Sequence, residues 1–180
     1  MNQPASAYFL ADASPRIVRA TLAVFVDNEA GALARVVGLF SGRGYNIESL
    51  TVAETDHQKH TSRITIVTSG TPRIIEQIKA QLGRLVPVHK VVDLSLDSPG
   101  IERELVLVKV RNQGEQRAEA LRLTEVFRAR VIDITLDSLV LELTGNNSKI
   151  ERFIELLVPL GLVELARTGV VAISRGGDLT

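Results

Sequence analysis

The sequence predicts an α+β fold built from two units in tandem, each with the order β-α-β-β-α-β. Three observations lead there: β-branched apolar runs of strand length, amphipathic stretches at helical spacing between them, and a second round of the same alternation after the turn cluster Asp97 to Gly100 (DSPG). The chain has 180 residues. That accommodates two small domains of about 75 to 85 residues each.

Ile17 to Val26 (IVRATLAVFV) reads as a buried strand with Val18, Ala20, Leu22, Val24 and Val26 on one face. Asp27 to Gly31 interrupts it. Leu33, Val36, Val37 and Phe40 then recur at helical spacing, and Gly42 and Gly44 stop the helix. Ile47 to Glu54 is a second strand with Leu50 and Val52 turned inward, and a polar tip (TDHQKH) joins it to a third, Arg63 to Thr68. Thr71 and Pro72 supply a cap and a first-turn proline for a helix whose inner stripe is Ile74, Ile75, Ile78 and Leu82. Val86 to Leu94 completes the unit.

The second unit follows the same course. Leu105 to Val110 is a strand, Ala118 to Phe127 a helix, and Val131 to Thr135 with Leu139 to Thr144 a hairpin around Asp137. Asn147 to Leu157 is a helix with Ser148 and Glu151 at capping-box spacing before Ile150, Phe153, Ile154 and Leu157. Val163 to Ala166 and Val170 to Ser174 are strand-like segments around Thr168 and Gly169. This order is the ferredoxin-like arrangement, in which two right-handed crossovers place both helices on one face of a four-stranded antiparallel sheet. The expected division is a tail over 1–16, a first domain over 17–96 and a second over 101–176.

Composition narrows the function. Lysine and arginine balance aspartate and glutamate at 21 each, so there is no basic face of the kind that neutralises nucleic-acid phosphates. There is no cysteine, which removes disulfides, thiolate metal sites and thiol nucleophiles. The first residues (MNQPASAYFLADAS) lack the basic start and apolar run of a secretory signal, and no stretch has the length and apolarity of a membrane span; the cytoplasm is the expected compartment.

Candidate chemistry is sparse. His57 and His60 share the polar tip with Asp56, a set that could hold a metal in a small enzyme, but a solvated loop needs the same residues and offers no scaffold to orient the rings. His89 lies among apolar strand residues and reads as a satisfied, half-buried histidine. No dinucleotide fingerprint, phosphate loop or nucleophile elbow is present, and the chain is expected to bind no cofactor of its own.

The informative segment is Asp27 to Leu33 (DNEAGAL), between the first strand and the first helix. Glycine at Gly31 allows close approach to the backbone, the N–H groups that open a helix favour a carboxylate, and the Asn28 amide suits a zwitterion. Asn28 and Gly31 are equally what a tight turn and a helix cap require. A second clue is Asn46, leading into the second strand. That strand lies at the sheet edge, carries Leu50, Thr51, Val52 and Ala53 without a proline or lysine to deter pairing, and is expected to pair with a second copy to form an eight-stranded sheet. Such a dimer brings Asn46 and Ile47 of one chain toward Asn28 to Gly31 of the other.

The run Asn28 to Val52 (NEAGALARVVGLFSGRGYNIESLTV) closely resembles the ACT domain of acetohydroxyacid synthase small subunits. Arg103 to Val110 (RELVLVKV), Thr124 to Asp133 (TEVFRARVID) and Ala166 to Arg175 (ARTGVVAISR) are similar to the second domain of the same family. The resemblance implies a non-catalytic regulatory homodimer that activates a large subunit carrying thiamine diphosphate, Mg2+ and FAD and confers feedback inhibition by valine. It implies a valine site on Asn28, Ala30, Gly31, Ala32 and Leu33 of one chain and Asn46 and Ile47 of its mate. One departure is Ala30, where relatives also use serine. A stand-alone amino-acid sensor without an enzyme partner is the alternative.

Overall fold

The computed structural model describes residues 16–56, 58, 60–95, 100–111 and 114–177. The first unit runs β1 (Val18–Asp27), α1 (Ala32–Gly42), β2 (Ser49–Asp56), β3 (Thr61–Gly70), α2 (Pro72–Leu82) and β4 (Val88–Asp93). Its sheet has the order β2-β3-β1-β4, fully antiparallel, with β2 at one edge. The second runs β5 (Ile101–Arg111), α3 (Gly114–Phe127), β6 (Arg130–Ile134), β7 (Ser138–Gly145), α4 (Asn147–Leu157), β8 (Leu162–Arg167) and β9 (Val171–Ile173). Its sheet has the order β6-β7-β5-β8, and β9 pairs with the first residues of β5. Both units are therefore the expected ferredoxin-like layers. Asp97 to Pro99 of the DSPG boundary, the first fifteen residues and His57 lie outside the described residues.

Each unit buries its helices against one face of its sheet. In the first, Leu22, Val24 and Val26 of β1 and Ile64 and Ile66 of β3 meet Val36 and Phe40 of α1 and Ile75, Ile78 and Leu82 of α2. In the second, Val106, Val108 and Val110 meet Leu139, Leu141 and Leu143 and the helix residues Ile150, Phe153 and Leu157. Removing side chains of this size from water stabilises the fold by about 1.5 to 3 kcal/mol each. Thr71 caps α2 as expected, its side chain accepting from the N–H of Ile74 at 3.3 Å, with Pro72 in the first turn.

Four expectations need correction. The inner stripe of α1 is Ala32, Val36, Leu39 and Phe40, and Leu33 is 40% exposed because it falls one position off that face. Val52 shares the helix-side face of β2 with Leu50 but is 43% exposed, since the helices do not reach the outer end of an edge strand. Val86 is exposed and precedes β4, which starts at Val88. The cap of α4 is Asn146, whose side chain accepts from Lys149 N–H at 3.0 Å; Ser148 is already helical, and Glu151 turns to Arg167 at 2.6 Å.

The two units meet across the helix-free face of the first sheet. Ala23 and Val67 of that face pack with Leu94, Val170 and Ala172. Polar ties accompany them: the Thr21 N–H donates to Ser95 Oγ at 2.8 Å, the Val170 N–H to Ser49 Oγ at 2.8 Å, and Arg19 reaches Glu102 at 3.1 Å. Thr21 Oγ1 also donates to the Glu102 carboxylate. The strand that ends the second unit thus roofs the first. Both faces of β1 are consequently buried, which accounts for its nearly unbroken apolar run.

Candidate functional site

The chain leaves β1 at Asp27 and enters α1 through a loop held by backbone hydrogen bonds and two side-chain ion pairs. The Asp27 N–H donates to Pro87 O at 2.9 Å, the Asn28 N–H to His60 O at 2.6 Å, and the Glu29 N–H to Asp27 O at 2.9 Å. Asp27 Oδ1 lies 2.6 Å from His89 Nε2, so His89 is satisfied by a carboxylate as expected but is exposed rather than half-buried, its side chain pointing off the core face of β4. Glu29 is held by Arg35 at 2.7 Å. His60 and Pro87 are therefore positioning residues for the loop, and sequence reading gave no sign of them, because they act through carbonyls. His60 adopts φ 48, a left-handed conformation that aims its carbonyl at the loop.

Gly31 stands at the helix entrance with φ 89 and ψ −8, and no side chain caps the helix. A left-handed turn here is why glycine is needed. A side chain built on Gly31 would meet nothing within 4 Å, so the space above it is open. The Ala32 N–H returns to Glu29 O at 3.2 Å, and among the described residues no backbone acceptor faces the N–H groups of Leu33 and Ala34. No acidic residue stands in the first turn. The result is an unblocked positive helix end beside an exposed amide, Asn28, a combination suited to a small carboxylate. Ala30 and Leu33 are exposed around it, whereas the Ala32 methyl is buried in the first core.

Asn46 and Ile47 do not join this cluster within one chain. Asn46 is exposed and its carbonyl accepts from Thr68 Oγ1 at 2.6 Å, while Ile47 packs at the border of the first core. Thr68 pairs with Ala20, near the start of β1, whereas the loop follows Asp27 at its end. Seven strand residues separate those levels, roughly 23 Å. Only a second copy could bring the two groups to one pocket. β2 runs parallel to β1, so an antiparallel pairing of two β2 edges would place the start of one beside the end of the other, at the level of the loop.

Among the described residues no cluster of histidine, aspartate and glutamate forms a metal site. Within the second unit the best-buried charge is Glu104, held by Arg167 at 2.7 and 2.8 Å; Arg167 also reaches Glu151 at 2.6 Å and Asn147 at 3.2 Å. The Glu104 hydrogen bond, ahead of the burial that opposes it, raises the Arg167 pKa further above its ordinary value. This cluster is a saturated structural network.

Comparison with known proteins agrees with this architecture. Residues 22–90 match the family described as "AHAS small subunit-like ACT domain", and residues 103–176 the family described as "Small subunit of acetolactate synthase". The chain is 47% identical over 156 residues to the probable acetolactate synthase small subunit of Archaeoglobus fulgidus, covering 87% of this chain and 96% of that protein. It is 46% identical over 163 residues to the acetolactate synthase isozyme 3 small subunit of Escherichia coli, covering 90% and 99%. The crystal structure of the acetolactate synthase small subunit from Thermotoga maritima superposes with a TM-score of 0.79 at 37% identity, over 89% of this chain and 99% of that one.

Proposed function

The chain belongs to the acetolactate synthase small-subunit family, with an ACT domain as its first unit, and from that premise we propose that free valine acts at the loop joining β1 to α1. The protein is a regulatory subunit of acetolactate synthase, serving feedback control of branched-chain amino acid biosynthesis. It works with the catalytic subunit and dimerises through its ACT domain.

The observation that carries the effector reading is the helix entrance at Gly31: left-handed, uncapped, with no acidic residue in the first turn and open above the backbone. The valine carboxylate sits on the N–H groups of Leu33 and Ala34. Asn28 takes the ammonium through its amide oxygen, and the branched side chain rests against Ala30 and Leu33. Asn46 and Ile47 of the partner subunit close the pocket across the paired β2 edges. Because the ligand touches both chains, it favours one dimer geometry over others, and a typical coupling of about 1 to 3 kcal/mol corresponds to a roughly 5- to 150-fold change in the partner enzyme's behaviour. The proposed compartment of the assembly is the cytoplasm.

The test is reconstitution with the catalytic subunit, measuring acetolactate formation with and without valine. Stimulation by this protein and inhibition by valine are expected, with valine sensitivity lost in Gly31→Asp and weakened in Asn46→Ala. Valine binding to Gly31→Asp at wild-type affinity would move the effector site elsewhere.

A further inference from the structure

The roof over the first sheet is incomplete. Beside β2 it leaves a cleft of about 390 Å³ walled by Ala53, Ile101, Val171 and Ile173. Two guanidinium groups line it, Arg63 from β3 and Arg103 from β5. Neither has a carboxylate partner among the described residues. Arg63 donates from Nη2 to Ala172 O at 2.5 Å and stacks 5.2 Å from the Phe25 ring centroid, while Arg103 donates to Glu102 O at 2.7 Å. Arg19 and Arg167, which line the neighbouring interdomain cleft, each meet two carboxylates.

The half-buried Arg63 is the anomaly. Withdrawing a cation from water is costly unless an opposite charge is supplied, and burial pushes the Arg63 pKa down for want of one. Its Nε is also enclosed without a partner, as is the hydroxyl of Thr51 in the same wall; these are two of the four such atoms found among the described residues. Among the described residues no aspartate or glutamate lines the cleft. Its polar side chains are arginines, which only donate, and threonines, which can donate, so the lining matches a ligand made of acceptors and has no anion for an ammonium. The volume and the apolar walls suit a small molecule with a short hydrocarbon end.

We propose that this cleft is a second ligand site, for a short-chain monocarboxylate without an amino group, of which a branched 2-oxo acid is the best chemical match. The carboxylate and keto oxygens face Arg63 and Arg103, and the hydrocarbon end packs on Ile101, Val171 and Ile173. The ligand would bridge β3 of the first unit and β5 and β9 of the second, and so stiffen their junction. The site shares no residue with the β1–α1 loop and stands independently of the valine reading.

The experiment is a calorimetric titration of the full-length protein with 3-methyl-2-oxobutanoate, alone and with saturating valine. One 2-oxo acid is expected per chain in both cases, with Gly31→Asp unaffected. Arg103→Gln removes an exposed cation with no structural partner beyond its neighbour's carbonyl, and should weaken binding about tenfold or more, the scale of a charge-assisted hydrogen bond. Ile173→Trp, which fills the cleft and leaves both arginines in place, should abolish it. Absence of binding by the wild type overturns the proposal. So does unchanged affinity in both variants, or displacement of the 2-oxo acid by valine, which would assign it to the loop. A failed valine titration with an intact 2-oxo acid titration would sink only the loop reading.

Discussion

Gly31 and Gly169 both hold left-handed backbone, at φ 89 and 83, but a side chain meets empty space at the first and a wall at the second. Gly31→Ala therefore pays only for the conformation, about 1 to 2 kcal/mol in a urea unfolding experiment. A methyl on Gly169 would lie 2.9 Å from both Ser49 Oγ and Thr51 Oγ1. Gly169→Ala should cost more than Gly31→Ala, adding the about 1 to 3 kcal/mol typical of overpacking, and should loosen the junction between the units. Comparing Gly31→Asp with Gly31→Ala separates charge from strain: both carry the strain, and only the aspartate places a negative charge at the proposed position of the valine carboxylate. Arg167→Met strands the 5%-exposed Glu104, and a destabilisation of about 3 to 5 kcal/mol is expected, with much of it recovered when Glu104→Gln is added. At this scale the loop was legible, because Gly31 announces the left-handed turn that opens the helix. His60 and Pro87 were not, since a carbonyl acceptor leaves no trace in residue type.

Among the elements, α2 and α4 show how far local rules reach. Thr71 and Pro72 specify the start of α2 without competition, and the structure agrees. At α4 three polar residues compete within a few positions. The Ser148 and Glu151 spacing satisfies a capping box on paper, yet β7 ends at Gly145, so the first residue free to leave strand geometry is Asn146. Glu151 is unavailable to complete the box because Arg167, from β8, holds it. The difference is measurable: Asn146→Ala and Thr71→Ala should each lower stability by about 1 kcal/mol, and Ser148→Ala by less than about 0.5 kcal/mol. Leu33 and Val52 teach the same lesson. Periodicity identified a helix and a strand correctly, but not which marginal position falls outside the neighbour's cover.

For the whole molecule, the element order and edge position of β2 followed from the pattern alone, because each unit is closed by local connections. An exposed Val52 on that edge invites a second copy, so Val52→Lys should shift the protein toward monomer in sedimentation equilibrium and weaken the valine response with it. A variant that remains fully dimeric would place the dimer contact elsewhere. What the sequence could not disclose was the roof. β9 is three residues long and pairs with Ile101 to Arg103, and its packing against Ala23 and Val67 joins residues more than 100 positions apart in one chain, a contact with no local signature.

That distant contact governs how the protein is made. A ribosome releases the amino-terminal half long before residues 170–173 emerge, so the first sheet must wait with Ala23, Val67 and Phe25 bare to solvent. Until those residues join it this face remains bare apolar surface, and a nascent chain stalled shortly before Val170 is expected to be prone to aggregation.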